Sequence, residues 1–311
     1  PTNVDHYFGG DFQHYLGGFA DSSTVDGYLA EVHYIDGSAL DESSFGQFDS
    51  NSVWQPKQYS GTYGTNGFHL DFSDNTSTTT IAEDSSGNNN DFTAYNFSVA
   101  SGSGNDSLID TPTNYTAASG NNGGNYATLN PLNTYSSTLS NGNLDWSSST
   151  VYGQTQSTIA VSSGKWYYEA TITAANNLVG IKDVSVAVPG SAWSGNRAYY
   201  SVDGTKFLDG TATSYGASFT AGDVIGVALD MDAGTLVFYK NGVSQGTAFT
   251  GITGTQALGY LGSNGSAASA SVNFGQRPFS QTIPTGYSSL CTTNLPDPTI
   301  ADGSTAMNAT T

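Results

Sequence analysis

Short apolar runs separated by turn residues recur through the second half of the chain. In the clearest case "DVIGVALDMD" is followed by "GTLVFYKNGVSQGTAF", a pair of apolar runs interrupted at Asn241-Gly242. Asparagine and glycine accept the positive φ angles of a two-residue type I′ hairpin turn. Runs of this length bounded by turns predict antiparallel strands. No segment of ten residues carries a convincing helical pattern, so an all-β fold is expected.

The composition agrees with a folded all-β protein. Aromatic residues make up 12% of the chain, with 19 tyrosines, and 38 glycines accompany many Ser, Thr and Asn residues. Disordered chains are poor in aromatic and β-branched residues, which are the residues enriched in strands. Between about Tyr126 and Phe279 the strand signals are regularly spaced. This spacing predicts two antiparallel sheets packed as a β-sandwich.

The charge balance restricts the possible partners. The chain has 26 acidic residues against 7 Lys plus Arg, a formal net charge of -19 and a pI near 4.1. A surface of this sign repels phosphate backbones and anionic headgroups, so no nucleic-acid binding is expected. No apolar run approaches the 18 residues that predict a membrane span, so no membrane insertion is expected.

The first 72 residues carry weaker strand signals. In "GYLAEVHYIDG" residues 28–35 alternate with period 2 before the turn residues Asp36-Gly37, which predicts a strand. The following "LDESSFGQF" is compatible with a short helical turn. Residues 73–125 are poor in hydrophobic residues, which favours loops, with short strands at residues 67–72 and 92–99.

The stretch "SSGKWYYEATI" predicts a strand whose aromatic residues point alternately into the core and outward. Glu169 is placed where a lysine or a backbone amide can hold it. Followed in order by "LVGI", "FTAGDVIGVALDMDAGTLVFYKNGVSQGTAF" and "VNFGQRPF", it resembles the successive motifs of the SPRY (B30.2-like) family. The resemblance covers residues 126–280 and implies a concanavalin A-like antiparallel jelly-roll sandwich.

The flanking sequence resembles a second group. "GYLAEVHYIDGSALDESSFGQFD" is similar to the closing strands of a laminin-G/concanavalin-like domain, and "FHLDFSDN" with "EDSSGNNNDFT" to the opening of one. Together with "NFGQRPF" and "LPDPTIADG", this combination resembles tail-fibre and other appendage proteins of tailed, particularly marine, bacteriophages. The first module is then expected to be incomplete unless a neighbouring chain completes its sheet.

The predicted organisation therefore has four parts. They are a partial laminin-G-like β module at 1–72, a loop-rich connector at 73–125, the SPRY-like sandwich at 126–280 and an extended C-terminal linker at 281–311.

Three segments are candidate metal sites. The loop "EDSSGNNND" gathers oxygen ligands of the kind that calcium takes, and laminin-G-like modules often carry calcium; these ligands are Asp84, Asn88, Asn90 and Asp91. The alternative is an Asx-rich turn that hydrogen-bonds its own backbone. His6 and His14 with Asp5 and Asp11 can hold a metal or form a solvated face. Asp230 and Asp232 in "LDMDAGT" fit a structural strand turn better than a calcium loop.

A candidate ligand-binding segment is "VPGSAWSGNRAYYSVDG", a Gly-rich connection between strands. It offers Trp193, Asn196, Arg197 and Tyr199, because aromatic rings pack on sugar faces and polar side chains bond hydroxyl groups. The alternative is that the Trp and Tyr side chains belong to the core.

The inventory of chemical groups argues against an enzyme. All four histidines lie before residue 70, so the SPRY-like half has no histidine general base. No catalytic residue is predicted. Calcium is the one candidate cofactor. A glycan-cleaving enzyme is the alternative that the laminin-like resemblance permits.

The sequence thus predicts a non-enzymatic module on the surface of a bacteriophage virion. It is expected to be extracellular and to bind glycans of the bacterial surface. We expect a homo-oligomer, a trimer in the first instance, in contact with other virion proteins, since repeated display turns weak contacts into firm adhesion. The alternatives are a secreted or cell-surface bacterial lectin-like adhesin and a purely structural capsid or tail decoration protein.

Overall fold

The computed structural model describes residues 14–19, 23–48, 52, 54–109, 124–188, 194–265 and 267–296. Within these ranges the chain consists of short and long strands, almost all paired antiparallel, with three single-turn 3-10 helices. The expected all-β fold is therefore confirmed. None of the helices in these ranges is long and apolar enough to cross a membrane.

The chain forms two compact units. Unit 1 holds the described residues up to Val99 and those from Asp106, and unit 2 holds Ala100–Asn105 and the described residues from Gly124 onward.

Among its described residues, unit 1 contains six strands of two or three residues, paired two by two. The pairs are β1 (Gly18–Phe19) with β2 (Ser23–Thr24), β3 (Val32–Tyr34) with β6 (Phe68–Leu70), and β4 (Gly46–Phe48) with β5 (Trp54–Pro56). The helical turn predicted in "LDESSFGQF" is the 3-10 helix Glu42–Ser44, capped by the Asp41 carboxylate. A second 3-10 helix spans Thr80–Ala82.

The strand predicted at residues 28–35 is shorter than its alternating pattern. Glu31 has a φ of 52°, a left-handed conformation that a strand does not contain, and β3 begins directly after it. Residues 92–99, predicted as a strand, have no strand structure.

The segment at 73–125 is not a separate connector where the structure describes it. Ile81 and Ala82 are buried, and the Phe92 ring lies 4.8 Å from that of Phe68 in β6. The Asp106 carboxylate accepts a hydrogen bond from the backbone amide of Ser98. A small number of apolar residues is enough to attach this stretch to unit 1, because Phe92 packs against Phe68 of β6 and Ile81 and Ala82 are buried.

Unit 2 is a sandwich of two sheets. The larger, sheet B, runs in the order β18-β17-β16-β11-β20-β8-β7, with β21 added parallel to β11. Its strands are β7 (Thr138–Ser140), β8 (Asp145–Ser148), β11 (Lys165–Ala174), β16 (Val224–Asp230), β17 (Thr235–Lys240), β18 (Val243–Phe249), β20 (Ala268–Asn273) and β21 (Ser288–Ser289).

The smaller sheet, sheet A, runs in the order β10-β19-β12-β13-β14-β15, with β9 also paired to β19. Its strands are β9 (Gln154–Thr155), β10 (Ala160–Val161), β12 (Asn177–Asp183), β13 (Asn196–Tyr200), β14 (Lys206–Leu208), β15 (Thr211–Thr213) and β19 (Gln256–Ser263). The predicted turn between β17 and β18 is present, with φ of 49° at Asn241 and 79° at Gly242.

Aromatic side chains fill the space between the sheets. Tyr168 of β11 is fully buried, its ring centroid lies 5.5 Å from that of Phe274, and its hydroxyl donates to the Gly180 carbonyl of sheet A at 2.6 Å. Its neighbours Tyr167 and Glu169 point to the opposite face of β11, since strand side chains alternate. The side chains of "KWYYEATI" thus alternate between the two faces as predicted, but the aromatic residues on both faces are buried.

The chain after residue 280 covers that outer face of β11. The Glu169 carboxylate accepts hydrogen bonds from the backbone amides of Ser280 and Gln281, both at 2.8 Å. Leu290 is fully buried, and β21 extends the sheet. The segment predicted as an extended C-terminal linker is therefore part of unit 2 as far as residue 296, because the Glu169 carboxylate and the buried Leu290 hold it. Residues 297–311 lie outside the described residues.

The two ends of the described stretch from residue 124 to residue 296 meet. Tyr126 and Cys291 form an antiparallel bridge, and the Ala127 amide donates to the Leu290 carbonyl at 2.9 Å.

Candidate functional site

Of the four residues predicted to contact a ligand, the three that the structure describes do not share one accessible surface. Trp193 lies outside the described residues. Tyr199 is fully buried among Phe219 and Phe238, at ring distances of 4.7 and 5.4 Å, and donates its hydroxyl to the Ala217 carbonyl. Burial raises the pKa of Tyr199 to about 12. Tyr199 therefore fills the core, which was the alternative to a ligand contact.

Asn196 is also buried, with its amide donating to the Tyr260 hydroxyl at 3.2 Å. Asn196 and Tyr199 are both buried, so neither side chain offers a surface to a ligand. Of the predicted contacts that are described, only Arg197 has a partly exposed side chain.

Arg197 lies at a rim of sheet A. In the strand register it is opposite Ile181 on one side and Leu208 on the other. Leu208 is 43% exposed, and Val184, just beyond the end of β12, is 42% exposed. The pKa of Asp183 is lowered, chiefly by a hydrogen bond from the Ser185 hydroxyl. The positive charge of Arg197 is one of the smaller causes. We call Asp183, Val184, Arg197 and Leu208 the Arg197 rim.

The Arg197 guanidinium differs from the other cationic groups of unit 2. Unit 2 holds six of the seven Lys and Arg residues, and five of them have a partner: Lys165 with Asp230, Lys182 with the Ser194 carbonyl, Lys206 with the Ala248 carbonyl, Lys240 with Asp223 and Arg277 with the Ser103 carbonyl. Within the described part of the chain the Arg197 guanidinium makes no hydrogen bond and no ion pair within 4 Å.

This arrangement suits recognition of a polar or acidic group. A guanidinium offers five N–H donors in a planar fork that matches a carboxylate or a pair of hydroxyl or carbonyl oxygens. The exposed side chain of Leu208, opposite Arg197 in β14, adds apolar contact area. Arginine is among the residues most enriched at the energetically dominant positions of interfaces.

The predicted calcium ligands organise a loop in unit 1. The two Asp84 carboxylate oxygens accept hydrogen bonds from the backbone amides of His69, Ser86 and Asn90 and from the Ser86 hydroxyl. The side-chain amides of Asn88 and Asn90 both donate to the Gly67 carbonyl, and Asp91 accepts from the Asp84 amide. These contacts are those of an Asx-rich turn; calcium binding at this loop stays a prediction.

A second cluster in unit 1 was not predicted. Glu31, His33 and His69 bring three ligand atoms within 4.8 Å of one another, and their side chains are 11 to 19% exposed. The sequence shows both histidines in strand-like runs, but only the β3–β6 register places them opposite each other. Of the predicted histidine pair, His14 is not in this cluster, and His6, Asp5 and Asp11 lie outside the described residues.

Comparison with known proteins agrees with the architecture of unit 2. The family model of the SPRY domain matches residues 165–277, from the first residue of β11 to the "NFGQR" turn after β20. This stretch is a SPRY domain, as the four sequence motifs implied.

Several known proteins are similar to part of this chain. The chain is 33% identical over 127 residues to the E3 ubiquitin-protein ligase RKP of Arabidopsis thaliana, covering 37% of this chain and 10% of the ligase. It is 37% identical over 89 residues to Ran-binding protein 10 of Danio rerio, covering 26% of this chain and 13% of that protein. The crystal structure of the SPRY domain of human HERC1 aligns with 46% of this chain and 96% of its own, at 22% identity and a TM-score of 0.41. This chain thus spans a small part of the ligase and of the Ran-binding protein.

Proposed function

We propose that this protein is a non-enzymatic binding module whose SPRY domain engages its partner through the Arg197 rim. The observation that carries the proposal is the guanidinium of Arg197, which has no hydrogen-bond partner among the described residues while the other five cations of unit 2 do. A partly exposed arginine opposite the exposed Leu208 in strand register gains most from an external acceptor.

The partner class that we propose is a bacterial surface glycan, and the setting is the surface of a bacteriophage virion. The support is the likeness of the flanking sequence to phage appendage proteins, together with an acidic surface that keeps a densely repeated protein soluble. Weak single-site contacts suit a homo-oligomer, because several linked sites bind far more tightly than one.

The rim is tested by measuring binding of the fluorescently labelled full chain to bacterial cells. Arg197→Ala and Leu208→Ser are expected to reduce cell binding about 10-fold or more each. Val243→Ser is the matched control, because Val243 is 65% exposed on β18 of the other sheet. Equal binding by all three variants, or no binding by the unmodified chain to any cell type, would contradict the proposal.

The chemical class of the partner is tested on pretreated cells. Periodate, which cleaves sugar diols, is expected to abolish binding, and protease treatment to leave it intact. The reverse result would assign the rim to a protein partner and refute the glycan assignment.

The setting and the absence of catalysis have separate tests. We expect sedimentation velocity to show a trimer and antibody labelling to locate the chain on phage particles. A chain that stays monomeric at high concentration and is absent from particles would argue for the secreted adhesin. Release of reducing ends from bacterial polysaccharide that disappears on changing one carboxylate would show an enzyme.

A further inference from the structure

Two histidines of unit 1 lie side by side across a strand pair. His33 of β3 is in register with His69 of β6, and their rings are stacked with centroids 4.1 Å apart. The Glu31 carboxylate reaches both rings: one of its oxygens is 2.8 Å from Nε2 of His69 and 3.6 Å from Nε2 of His33. Both Nε2 atoms therefore face the same carboxylate oxygen.

Both ring nitrogens of His69 have a partner. The Ser85 hydroxyl is 2.9 Å from Nδ1 of His69 and 3.0 Å from the His69 carbonyl oxygen, which also accepts from the Ser85 amide at 2.8 Å. Nε2 of His69 is 2.8 Å from the Glu31 carboxylate oxygen, to which an Nε2–H can donate. The Ser85 hydroxyl can also accept from Nδ1–H, so the ring can carry its proton on Nδ1 and leave Nε2 to an ion.

When a metal ion takes the place of the Nε2 proton of His69, the remaining ring proton lies on Nδ1, and the Nε2 lone pair and the Glu31 carboxylate oxygen 2.8 Å away can both bind the ion. His33 has the same arrangement available, because its Nδ1 is 2.8 Å from the Tyr63 hydroxyl, which can accept from Nδ1–H and leave the Nε2 lone pair directed at Glu31. The pair of rings and the carboxylate thus present three electron-pair donors to one point.

We propose that Glu31, His33 and His69 form a binding site for a divalent transition-metal ion, with Zn²⁺ as the preferred ion. Imidazole nitrogens and a carboxylate oxygen are ligands that zinc takes, and three protein ligands leave a fourth position for water. Hard cations such as calcium prefer oxygen-only sites, so the neighbouring Asp84 loop does not compete for the same ion.

The local structure has other features of metal sites. Metal-bound histidines generally donate their second ring N–H to a fixed acceptor, and Ser85 and Tyr63 are placed for that role. Tetrahedral zinc at bonds of about 2.1 Å needs ligand atoms roughly 3.4 Å apart. The Glu31 oxygen is 2.8 Å from Nε2 of His69 and 3.6 Å from Nε2 of His33, on either side of this value, and all ligand atoms lie within 4.8 Å of one another. His69 also lines an open cleft with Tyr59, Tyr63 and Asn88, which gives an ion and its water a path from solvent.

The backbone holds Glu31 in an unusual conformation. Its φ of 52° is disfavoured for a residue with a side chain, and such strain is common where a side chain must be directed to a site. The ion would tie β3, β6 and the residue before β3 together. Because all these residues belong to unit 1, this inference is independent of the Arg197 rim in unit 2.

The test is a titration of the full chain, first freed of metal by a chelator, with Zn²⁺ against a competing indicator. We expect one tight ion per chain, with a dissociation constant below about 10 μM. His33→Gln, His69→Gln and Glu31→Gln are each expected to weaken binding by more than about 100-fold. Ser85→Ala, an exposed position that removes only the outer hydrogen bond, is expected to weaken it about 10-fold to 100-fold.

His14→Gln is the matched control, since His14 is a unit 1 histidine outside the cluster, and it is expected to leave Zn²⁺ affinity unchanged. Co²⁺ in place of Zn²⁺ should give the visible absorption of a tetrahedral site in the unmodified chain and lose it in His69→Gln. A dissociation constant above about 10 μM, or tight binding that persists in Ser85→Ala, His69→Gln and Glu31→Gln alike, would overturn the proposal.

Discussion

The two units of this protein satisfy the hydrogen-bonding groups of their backbone in different ways. Unit 2 uses long strands, up to the ten residues of β11, so that neighbouring strands satisfy most backbone groups. In unit 1 the strands have two or three residues, and side chains of Asp, Asn, Ser and Thr supply many of the remaining hydrogen bonds. A fold with little sheet thus depends on polar side chains for its shape.

The difference also determines where reactive groups lie. Unit 2 encloses its aromatic residues between sheets and leaves one cation, Arg197, without a hydrogen-bond partner at its rim within the described chain. Unit 1 has a small core, so His33, His69 and Glu31 meet at partly exposed positions on a two-stranded pair. Function is therefore expected at the rim of unit 2 and inside the loops of unit 1.

The largest effect should come from the aromatic core of unit 2. Phe238→Ala removes a fully buried ring that contacts Tyr199 and is expected to lower the free energy of unfolding of unit 2 by about 3 to 5 kcal/mol. Urea unfolding followed by the fluorescence of the buried Trp146 and Trp166 measures this. A loss below about 1 kcal/mol would mean that this layer is not closely packed.

The second effect concerns the buried carboxylate of unit 2. Burial raises the pKa of Glu169, and the amides of Ser280 and Gln281 partly offset that rise. Glu169→Gln places an NH₂ group or a weaker acceptor against these donors, and we expect a loss of about 3 kcal/mol. Hydrogen exchange should show faster exchange at residues 280–290. Unchanged exchange there would show that Glu169 does not hold the C-terminal segment.

The third effect tests side-chain support in unit 1. Asp84→Asn weakens four hydrogen bonds to the loop and is expected to cost about 1.5 kcal/mol. Faster exchange of the His69 and Ser86 amides, with unit 2 unaffected, is the expected observation. Unchanged amide hydrogen exchange in unit 1 would show that polar side chains do not support its backbone, and the two units would then not differ in this respect.

The same carboxylate predicts a pH dependence. Burial acts to raise the pKa of Asp84, but hydrogen bonds from His69, Asn90 and Ser86 outweigh it and lower the pKa below its ordinary 3.8. The folded state then binds this proton less readily than the unfolded state, so the stabilisation is present above pH 3.8 and lost as the pH falls through the folded-state pKa. The difference between the unmodified chain and Asp84→Asn should shrink in that range.

The smallest effect is expected at exposed apolar residues. Val243→Ser in unit 2 and Tyr95→Ser in unit 1, at 65% and 76% exposure, should each change the free energy of unfolding by no more than about 0.5 kcal/mol. Thermal melts of both variants check this. A large loss at either position would reveal a contact that covers it in solution.

The sandwich was predictable because its signals are local. The alternation of "KWYYEATI" and the Asn241-Gly242 turn depend on side-chain period and on glycine conformation, which neighbouring residues determine. The burial of Tyr199 was not predictable, since Asn196, Ala198 and Tyr200 on the other face of β13 are buried too. With both faces covered, alternation does not tell a rim position from a core position.

The sites of unit 1 depend on information that the sequence does not display. The meeting of His33 and His69 requires the pairing of strands 36 positions apart, and strand register cannot be read from three-residue strands. The packing of residues 73–109 depends on a few apolar contacts such as Phe92 on Phe68. Composition correctly indicated loops there but not where they attach.

The bridge between Tyr126 and Cys291 has an evolutionary consequence. A domain whose entrance and exit lie side by side can be spliced into a surface turn of a host protein without pulling the host's backbone apart. Recombination can therefore insert such a domain into proteins of unrelated fold. The recipient protein gains a folded β-sandwich, and only the residues at its rim need to change for a new partner.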